Sequence, residues 1–348
     1  MTPAPAQRAT GEVLVVRGHV VESRHEITAA VADAQGRLRW RVGDPDALVT
    51  YMRSSAKPLQ ALPAVEAGVL EAFGLDERCL ALMCASHAGT PVHTQLAADI
   101  LARAGLTPEH LQCGAHWPYH DATADAMRRR GERPTALCSN CSGKHAGMIA
   151  FAQKLGADVQ TYRSPGHPVQ RRIRRAVADM AGLDETAIQT AVDGCGVPVF
   201  AMSVGAMATA FARLAAPGAL DAPRRDAVGR ITAAMAAYPE LVGGPGRFDS
   251  VLMASLRGRV ISKVGAEGVQ CMALPELGLG VALKVHDGAA RAAGPAALEI
   301  LSALGVMGEP ERLALEPMRQ PVLRNVAGDP VGEIRSEIFL RKVSARGT

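Results

Sequence analysis

Short runs of apolar residues at both ends of the chain predict β-strands. Near the N-terminus the runs are separated by the turn residues Arg17-Gly18 and Gln35-Gly36, and near the C-terminus they are separated by glycines. Runs of this length bounded by turn residues are typical of strands. The predicted strands cover residues 13–16, 19–22, 27–31, 260–263, 269–273 and 280–285.

Between the two ends, the apolar residues recur with the spacing of helices. The predicted helices cover residues 55–70, 92–104, 143–156, 167–181, 198–214 and 223–238. Strands that enclose a helical middle predict a mixed α/β (α+β) fold, in which one sheet built from both chain ends packs against the helical region. No linker rich in Pro, Gly or Ser divides the chain, so we expect one domain over residues 11–348, preceded by a flexible tail over residues 1–10.

The composition excludes several classes of protein. With 48% hydrophobic and 21% charged residues, the 348-residue chain has the composition of a globular protein. Aromatic residues make up only 3% and the net charge is +4, so we expect no nucleic-acid partner. No apolar run approaches the roughly 18 residues that a membrane span needs, and residues 1–10 lack the apolar core of a secretory signal. We therefore expect a cytoplasmic protein with no membrane partner.

Ser54 and Lys57 form a Ser-x-x-Lys pair, a unit that can carry serine catalysis without a histidine. If Ser54 begins a helix, Lys57 lies one turn later on the same face, within reach of Ser54 Oγ. A lysine accepts that proton only when neutral, so its pKa must fall from about 10.4 to ~7 through burial and a nearby second cation. Lys263 could be that cation and could pair with Ser86. This order of residues favours an enzyme that cleaves an amide; alternatively, Ser54 only caps a helix and both lysines are solvated.

The seven cysteines are odd in number and irregularly spaced, which favours free thiols, a metal site or redox chemistry over a disulfide framework. The densest polar segment, 138–145 (CSNCSGKH), precedes an apolar helical run. Cys138 and Cys141 could form a redox pair. Alternatively, two thiols could share a metal in an open site that keeps a water position. The candidate ligands of that metal are Cys141 and Cys195 with His145, Lys144 or Asp193. A third explanation is that small buried residues pack a tight turn here.

The glycine-rich segment 243–247 (GGPGR) predicts a flexible loop that could cover a site. The sequence alone assigns no role to Asn140, Arg163 or Asp249.

Six segments in this order resemble the asparaginase II family, a class unrelated to the bacterial-type and plant-type asparaginases. The resemblance covers residues 11–340, and the six segments together are specific although each one alone is not. They are 53–58 (RSSAKP), 84–89 (CASHAG), 138–147 (CSNCSGKHAG), 162–168 (YRSPGHP), 193–198 (DGCGVP) and 263–268 (KVGAEG). The resemblance implies hydrolysis of L-asparagine to L-aspartate and ammonia. It also implies a fold similar to penicillin-binding proteins and serine β-lactamases, and a homodimer.

The same resemblance implies roles for individual residues. Ser54 with Lys57, and Ser86 with Lys263, are similar to the two Ser-Lys pairs of the family. Ser54 is the expected nucleophile and Ser86 is the alternative. Backbone N–H groups near Ser54 and Gly265 are expected to form the oxyanion hole.

The resemblance further implies a zinc site. One zinc ion per chain would be held by Cys141, Lys144 and Cys195, with water completing its shell, and it would assist substrate binding more than attack. A lysine must be neutral to bind a metal, which agrees with a site that lowers lysine pKa values. The remaining expected substrate-binding residues are Arg53 at the α-carboxylate, Asp193 at the metal water or the substrate amino group, and His145.

Two other functions fit the same residues. Another Ser-Lys amidohydrolase, such as a glutaminase or a β-lactamase-like enzyme, would use the same serines and lysines. A zinc- or thiol-switched binding protein would use Cys138, Cys141 and Cys195, and its serines would be incidental. The effect of Ser54→Ala on ammonia release separates the enzymes from the binding protein.

Overall fold

The computed structural model describes residues 11–343, and the predicted tail over residues 1–10 lies outside them. The strands form a large sheet and a small one. In chain order they are β1 (Gly11–Arg17), β2 (Val20–Asp33), β3 (Leu38–Val42), β4 (Val49–Tyr51), β5 (Gln189–Val192), β6 (Pro198–Ser203), β7 (Ile261–Gly265), β8 (Val269–Leu274), β9 (Leu279–Val285), β10 (Val322–Arg324), β11 (Pro330–Glu337) and β12 (Arg341–Lys342). The large sheet has nine strands in the order β10-β11-β1-β2-β9-β8-β7, with β3 pairing to β2 and β12 to β3; the small sheet has the order β4-β6-β5.

Helices occupy most of the middle of the chain and part of its last third. They are α1 (Lys57–Glu66), α2 (Val69–Phe73), α3 (Glu77–Met83), α4 (Pro91–Arg103), α5 (Asp121–Arg129), α6 (Ser142–Lys154), α7 (Pro168–Ala181), α8 (Val204–Ala215), α9 (Ala222–Ala237), α10 (Pro239–Val242), α11 (Phe248–Leu256), α12 (Ala290–Ala303) and α13 (Glu309–Arg319). Within residues 11–343, no helix has both the length and the apolar character of a membrane span.

The predicted mixed α/β fold is confirmed, and β2 shows how the two chain ends meet. Residues 20–27 of β2 pair with β1, and residues 27–33 pair with β9 from the other end of the chain, both antiparallel. The two strands predicted at 19–22 and 27–31 are therefore one continuous strand of 14 residues. This long strand joins the N-terminal and C-terminal parts of the sheet.

Two helix predictions are corrected by the structure. Residues 198–203 form the strand β6, and α8 begins at Val204. The helix was predicted from residue 198 because the continuous apolar run PVFAMS shows neither the two-residue period of a strand nor the period of a helix. The helix predicted over 55–70 is a 3-10 turn (Arg53–Ala56) followed by α1 and α2. Gly68, with a left-handed φ of 70°, separates these two helices. The sequence patterns also missed five helices, four strands of the large sheet and the small sheet: the helices are α3, α10, α11, α12 and α13, and the strands are β3, β10, β11 and β12.

The sheet has a hydrophobic core on each face, as the alternation along β2 shows. Ala30 and Ala32 belong to the core shared with the helical middle, whereas Ile27, Ala29 and Val31 belong to the core shared with α11 and α12. This alternation follows from the two-residue period of a strand. The sheet is thus covered on both sides, and the polar site described below lies between β7, its edge strand, and the helical middle.

Small residues let the helical layer approach the sheet closely. At Gly280 on β9, a Cβ atom would collide with backbone atoms of Ala208 and Ala212 on α8. Because the chain has few aromatic residues, the helical layer packs against the sheet through close contacts of glycine and alanine. It holds the helical layer tightly against the strands that carry the site.

Candidate active site

A tight turn between β4 and α1 presents Ser54. The Met52 N–H donates to the Phe200 carbonyl (2.9 Å), and the chain then enters the 3-10 turn. Arg53 has a left-handed φ of 51°, a conformation that costs a non-glycine residue about 1–3 kcal/mol. An ion pair from Arg53 Nε to Asp193 Oδ1 (2.8 Å) holds it there. Ser54 therefore lies half-buried within this turn. The prediction that Ser54 begins the helix is wrong, because the residue before α1 is Ala56.

Three of the four predicted catalytic residues meet at one hydroxyl group. Lys57 and Lys263 are both 0% exposed, and each donates a 2.9 Å hydrogen bond to Ser86 Oγ. Lys57 also donates to the Ala85 carbonyl (2.6 Å), and Lys263 to the Val264 carbonyl (3.0 Å). Within residues 11–343, Ser54 Oγ makes no hydrogen bond, so Lys57 is directed at Ser86 in place of the expected contact with Ser54. Ser86, itself 4% exposed, joins the two lysines.

Burial lowers the pKa of both lysines. The pKa of Lys263 falls to about 8 because burial opposes its charge and the Lys57 ammonium repels it, although the Asp249 carboxylate acts in the opposite direction. Burial likewise lowers the pKa of Lys57, with help from Lys144, and the Cys141 sulfur opposes this. The site therefore contains lysines that can exchange protons much closer to neutral pH than a lysine in water can.

Two thiols and an amine meet beside the lysines. Lys144 Nζ donates to Cys195 Sγ (2.9 Å), and Cys195 Sγ lies 3.8 Å from Asp193 Oδ2. The pKa of Cys141 lies well below its usual value because the Cys195 thiol donates to it and Lys57 and Lys144 lie nearby. Burial favours neutral Lys144, but the two sulfurs outweigh it and raise the pKa of Lys144.

The chemistry of this donor set suits the expected zinc ion, but the pKa of Lys144 is raised and not lowered as the sequence predicted, so a metal would have to displace the proton of this amine. Thiolate sulfurs and amine or imidazole nitrogens are the ligands zinc prefers, and the lysine and one cysteine already touch. Residues 11–343 contain no group of three His, Cys, Asp or Glu side chains placed to hold a metal. The zinc ligands that the resemblance implies would thus include Lys144 as the third protein ligand, beside Cys141 and Cys195. All seven cysteines are free, and no hydrogen bond between the described side chains links Cys138 to Cys141.

His145 lies outside the thiol cluster and carries an unsatisfied nitrogen. Its Nδ1 shares a 2.6 Å hydrogen bond with the Tyr162 hydroxyl, and the two rings pack edge to face. Burial, with the nearby Lys144 and Lys57 charges, holds the pKa of His145 well below its usual value. Its Nε2 atom is buried and has no partner among the described residues. The free nitrogen of this neutral ring can accept one hydrogen bond from a ligand or donate one to it, depending on which nitrogen carries the proton.

Gly265 brings the edge strand β7 against the turn that carries Ser54. A Cβ atom at Gly265 would lie 2.6 Å from the Met52 carbonyl oxygen, closer than a side chain tolerates. Glycine at this position therefore allows β7 to lie beside residues 52–54, where the oxyanion hole is expected. A larger residue would separate the strand from the turn.

Two residues at the site were missed by the sequence analysis. The Asn140 carbonyl accepts from Lys57 Nζ (3.4 Å) and from the His87 N–H (3.2 Å). Asp249, 2% exposed, lies 3.6 Å from Lys263 Nζ. A signal for Asp249 was present, because it is a lone acidic residue in the otherwise apolar helix α11 (FDSVLMASL), and a buried carboxylate needs a partner. The identity of that partner was not readable from sequence.

The chain was compared with known protein families and solved structures, and the family match includes all residues of the site. A model of the family described as L-asparaginase II matches residues 13–336. No curated protein matches the chain. A solved β-lactamase from Mycobacterium bovis is 18% identical, with a TM-score of 0.42, over 81% of this chain and 95% of that one. The native form of Mglu is 15% identical, with a TM-score of 0.35, over 81% of this chain and 65% of Mglu. Every site residue described above lies within the family match.

Proposed function

Because the chain belongs to the L-asparaginase II family, we propose that this amidohydrolase cleaves L-asparagine to L-aspartate and ammonia. The observation that carries the proposal is the pair of fully buried lysines that share Ser86 beside the turn of Ser54. Burying two amines without a function would cost several kcal/mol, since each must lose its hydration. Proton transfer in the cleavage of an amide gives them a function.

Ser54 is the proposed nucleophile and Ser86 the proposed proton relay. Ser54 is partly exposed and its hydroxyl has no partner among the described residues, so a substrate can reach it. Ser86 is buried and its Oγ accepts a hydrogen bond from each lysine. This arrangement suits proton transfer more than nucleophilic attack on a substrate. This division of roles supports the nucleophile expected from the sequence, with Ser86 as the alternative.

The reaction proceeds through an ester on Ser54. Ser54 Oγ attacks the side-chain amide carbon while its proton passes through the Ser86 hydroxyl to Lys57, which contacts Ser86 and not Ser54, and the C–N bond then breaks. The departing nitrogen receives its proton through the Ser86 hydroxyl and leaves as ammonia. A water molecule hydrolyses the ester and releases L-aspartate. Backbone N–H groups near Ser54 and Gly265 stabilise the oxyanion, each by about 3–4 kcal/mol.

Substrate recognition uses the groups around this turn. Arg53 keeps its terminal N–H groups available for an α-carboxylate, because its contact with Asp193 is made through Nε. Asp193 and the free nitrogen of His145 can hold the amino group of the substrate. Zinc on Cys141, Lys144 and Cys195, when bound, supplies a Lewis acid that assists substrate binding.

The direct test is ammonia release from L-asparagine, measured beside L-glutamine and a β-lactam reporter, with and without added zinc. We expect turnover of L-asparagine and little of the other two. Preferential turnover of glutamine or of the reporter would assign the site to another Ser-Lys amidohydrolase. No turnover by folded, zinc-loaded protein would contradict the enzyme and favour a zinc- or thiol-switched binding protein.

Zinc content tests the role of the thiol cluster. We expect about one zinc per chain by elemental analysis, and loss of most of it in Cys141→Ser, because a neutral hydroxyl is a far weaker zinc ligand than a thiolate. The matched control is Cys79→Ser, since Cys79 is buried in α3 outside the cluster and should leave zinc content unchanged. Full zinc content in Cys141→Ser, or none in the wild type after loading, would contradict the site.

A further inference from the structure

The carboxylate of Asp249 is held by donors from one hairpin. Its Oδ1 accepts from Ser262 Oγ (2.8 Å) and Gln270 Nε2 (3.1 Å). Its Oδ2 accepts from the Val264 N–H (2.9 Å) and lies 3.6 Å from Lys263 Nζ. Asp249 belongs to the first turn of α11, whereas its three hydrogen-bond donors and its ion-pair partner Lys263 belong to β7 and β8. One side chain thus joins a helix to the strand that forms the edge of the site.

The two lysines on Ser86 share their burial and their distance to its hydroxyl, and this carboxylate is one of the groups that distinguish them. Both are fully buried and both lie 2.9 Å from Ser86 Oγ. Only Lys263 has a carboxylate within ion-pair distance; Lys57 has none among the described residues. A buried carboxylate favours the charged form of the amine that it faces. Asp249 therefore makes the two lysines chemically different.

We propose that Asp249 is a positioning residue of the reaction: it keeps Lys263 as the charged partner of Ser86 and fixes β7 beside the Ser54 turn. This inference rests on the proposed function. Lys57 is left as the partner of Ser86 without a carboxylate, and burial lowers its pKa although the Cys141 sulfur opposes this, in keeping with its role as the base. The same carboxylate accepts the Val264 N–H and thereby fixes the position of the backbone next to Gly265.

Other groups around Lys263 make this carboxylate necessary. Lys57 on α1 and Arg247 before α11 repel its charge, and burial opposes it. The Cys141 sulfur acts with Asp249, while the thiols of Cys84 and Cys271 are uncharged, because burial raises the pKa of each to about 12. Removing the Asp249 charge leaves Lys57 and Arg247 facing Lys263. The pKa of Lys263 should therefore fall further, so that the amine becomes neutral at a lower pH.

The first test measures the ion pair through stability, without substrate. Asp249→Asn has nearly the same size and can still accept from the Val264 N–H, but its NH2 group then faces Ser262 Oγ and Gln270 Nε2, so it removes the charge together with the acceptor of these two donors. We expect a lower thermal unfolding midpoint than the wild type below about pH 8, where Lys263 is charged in both folded and unfolded chains. Above this pH, folded Lys263 loses its proton, so the difference should shrink. A difference that is the same at every pH would overturn the ion pair.

A double variant covers the case in which Asp249→Asn folds poorly. Lys263→Met removes the amine, and Asp249→Asn added to it then removes a carboxylate that has lost its partner. We expect the double variant to be at least as stable as Lys263→Met alone. An undiminished loss of stability on adding Asp249→Asn would assign the residue to hydrogen bonding only.

The second test measures the role in the reaction. For Asp249→Asn we expect kcat on L-asparagine to fall about 10- to 100-fold, with KM changed less than about 3-fold, because the acid–base groups and not the substrate contacts are disturbed. The alkaline limb of the pH profile should move to lower pH. Ser262→Ala is the matched control: it removes one hydrogen bond from the same carboxylate but leaves its charge, so the limb should stay in place.

The outcomes separate this inference from the proposed function. An unmoved alkaline limb in Asp249→Asn, or an effect on KM alone, would overturn the positioning role. Failure of the wild type to release ammonia from L-asparagine would instead overturn the proposed function, while the stability measurements would still decide whether Asp249 controls the charge of Lys263.

Discussion

Ammonia release from L-asparagine should fall by about four orders of magnitude or more in Ser54→Ala, because loss of the nucleophile removes the covalent route entirely. Thermal unfolding should change little. The Ser54 hydroxyl makes no hydrogen bond within residues 11–343, and the turn is held by the Met52 backbone and the Arg53 side chain. The measurement is kcat by coupled ammonia assay, beside a thermal melt of the same protein.

Ser55→Ala is the matched control for this variant. Ser55 is the next residue in the same turn, but its hydroxyl is buried and donates to the Met52 carbonyl (2.7 Å). We expect its loss to cost about 1 kcal/mol of stability and to leave kcat within a few-fold of the wild type. Full activity in Ser54→Ala, together with an inactive Ser86→Ala, would move the nucleophile to Ser86. Activity in both variants would contradict the Ser-Lys mechanism.

The convergence of the site could be predicted because its parts lie on segments whose placement follows from the sheet. Once strands from both chain ends form one sheet, Lys263 on β7 must come near the start of the helical middle, where Lys57 lies. The pairing of β2 with β9 provides this closure. The predicted proximity of Lys263, Ser86 and Lys57 thus depended on topology and not on exact element boundaries.

The partner of Lys57 could not be read from the sequence. Spacing alone placed Lys57 over Ser54, since residues three apart share a helix face. The chain instead forms a 3-10 turn before α1, and the hydroxyl that receives Lys57 follows α3, 29 residues later. A buried amine selects its acceptors by tertiary packing, and no local periodicity encodes that choice.

The same limit applies to β6 and to Asp249. The run PVFAMS is buried along nearly its whole length, so it shows neither the alternation of a half-exposed strand nor the period of a helix. Asp249 has three hydrogen-bond donors and one ion-pair partner, all contributed by residues 13 to 21 positions away. The apolar residues around it in the sequence were a signal of its burial, but its role depends on pairing with β7.

Lys57→Met should reduce kcat on L-asparagine by about three orders of magnitude or more, because the general base is removed and a neutral thioether cannot replace it. The fold should persist. The variant loses three hydrogen bonds, to the Ala85 and Asn140 carbonyls and to Ser86 Oγ, each worth about 1 kcal/mol, but it also removes the desolvation of an amine, which costs several kcal/mol. We therefore expect a thermal unfolding midpoint at or above that of the wild type.

Lys57→Arg separates the two roles that a buried lysine can have. Arginine keeps the positive charge but cannot lose its proton near neutral pH, so a base at position 57 predicts an inactive Arg variant. Lys154→Met is the control for the chemical change itself, since Lys154 is exposed at the end of α6 and should leave kcat unchanged. Substantial activity in Lys57→Arg would show that Lys57 acts only as a cation. The base would then have to be Lys263, acting through Ser86, and the difference that Asp249 imposes on the two lysines would work in the opposite sense.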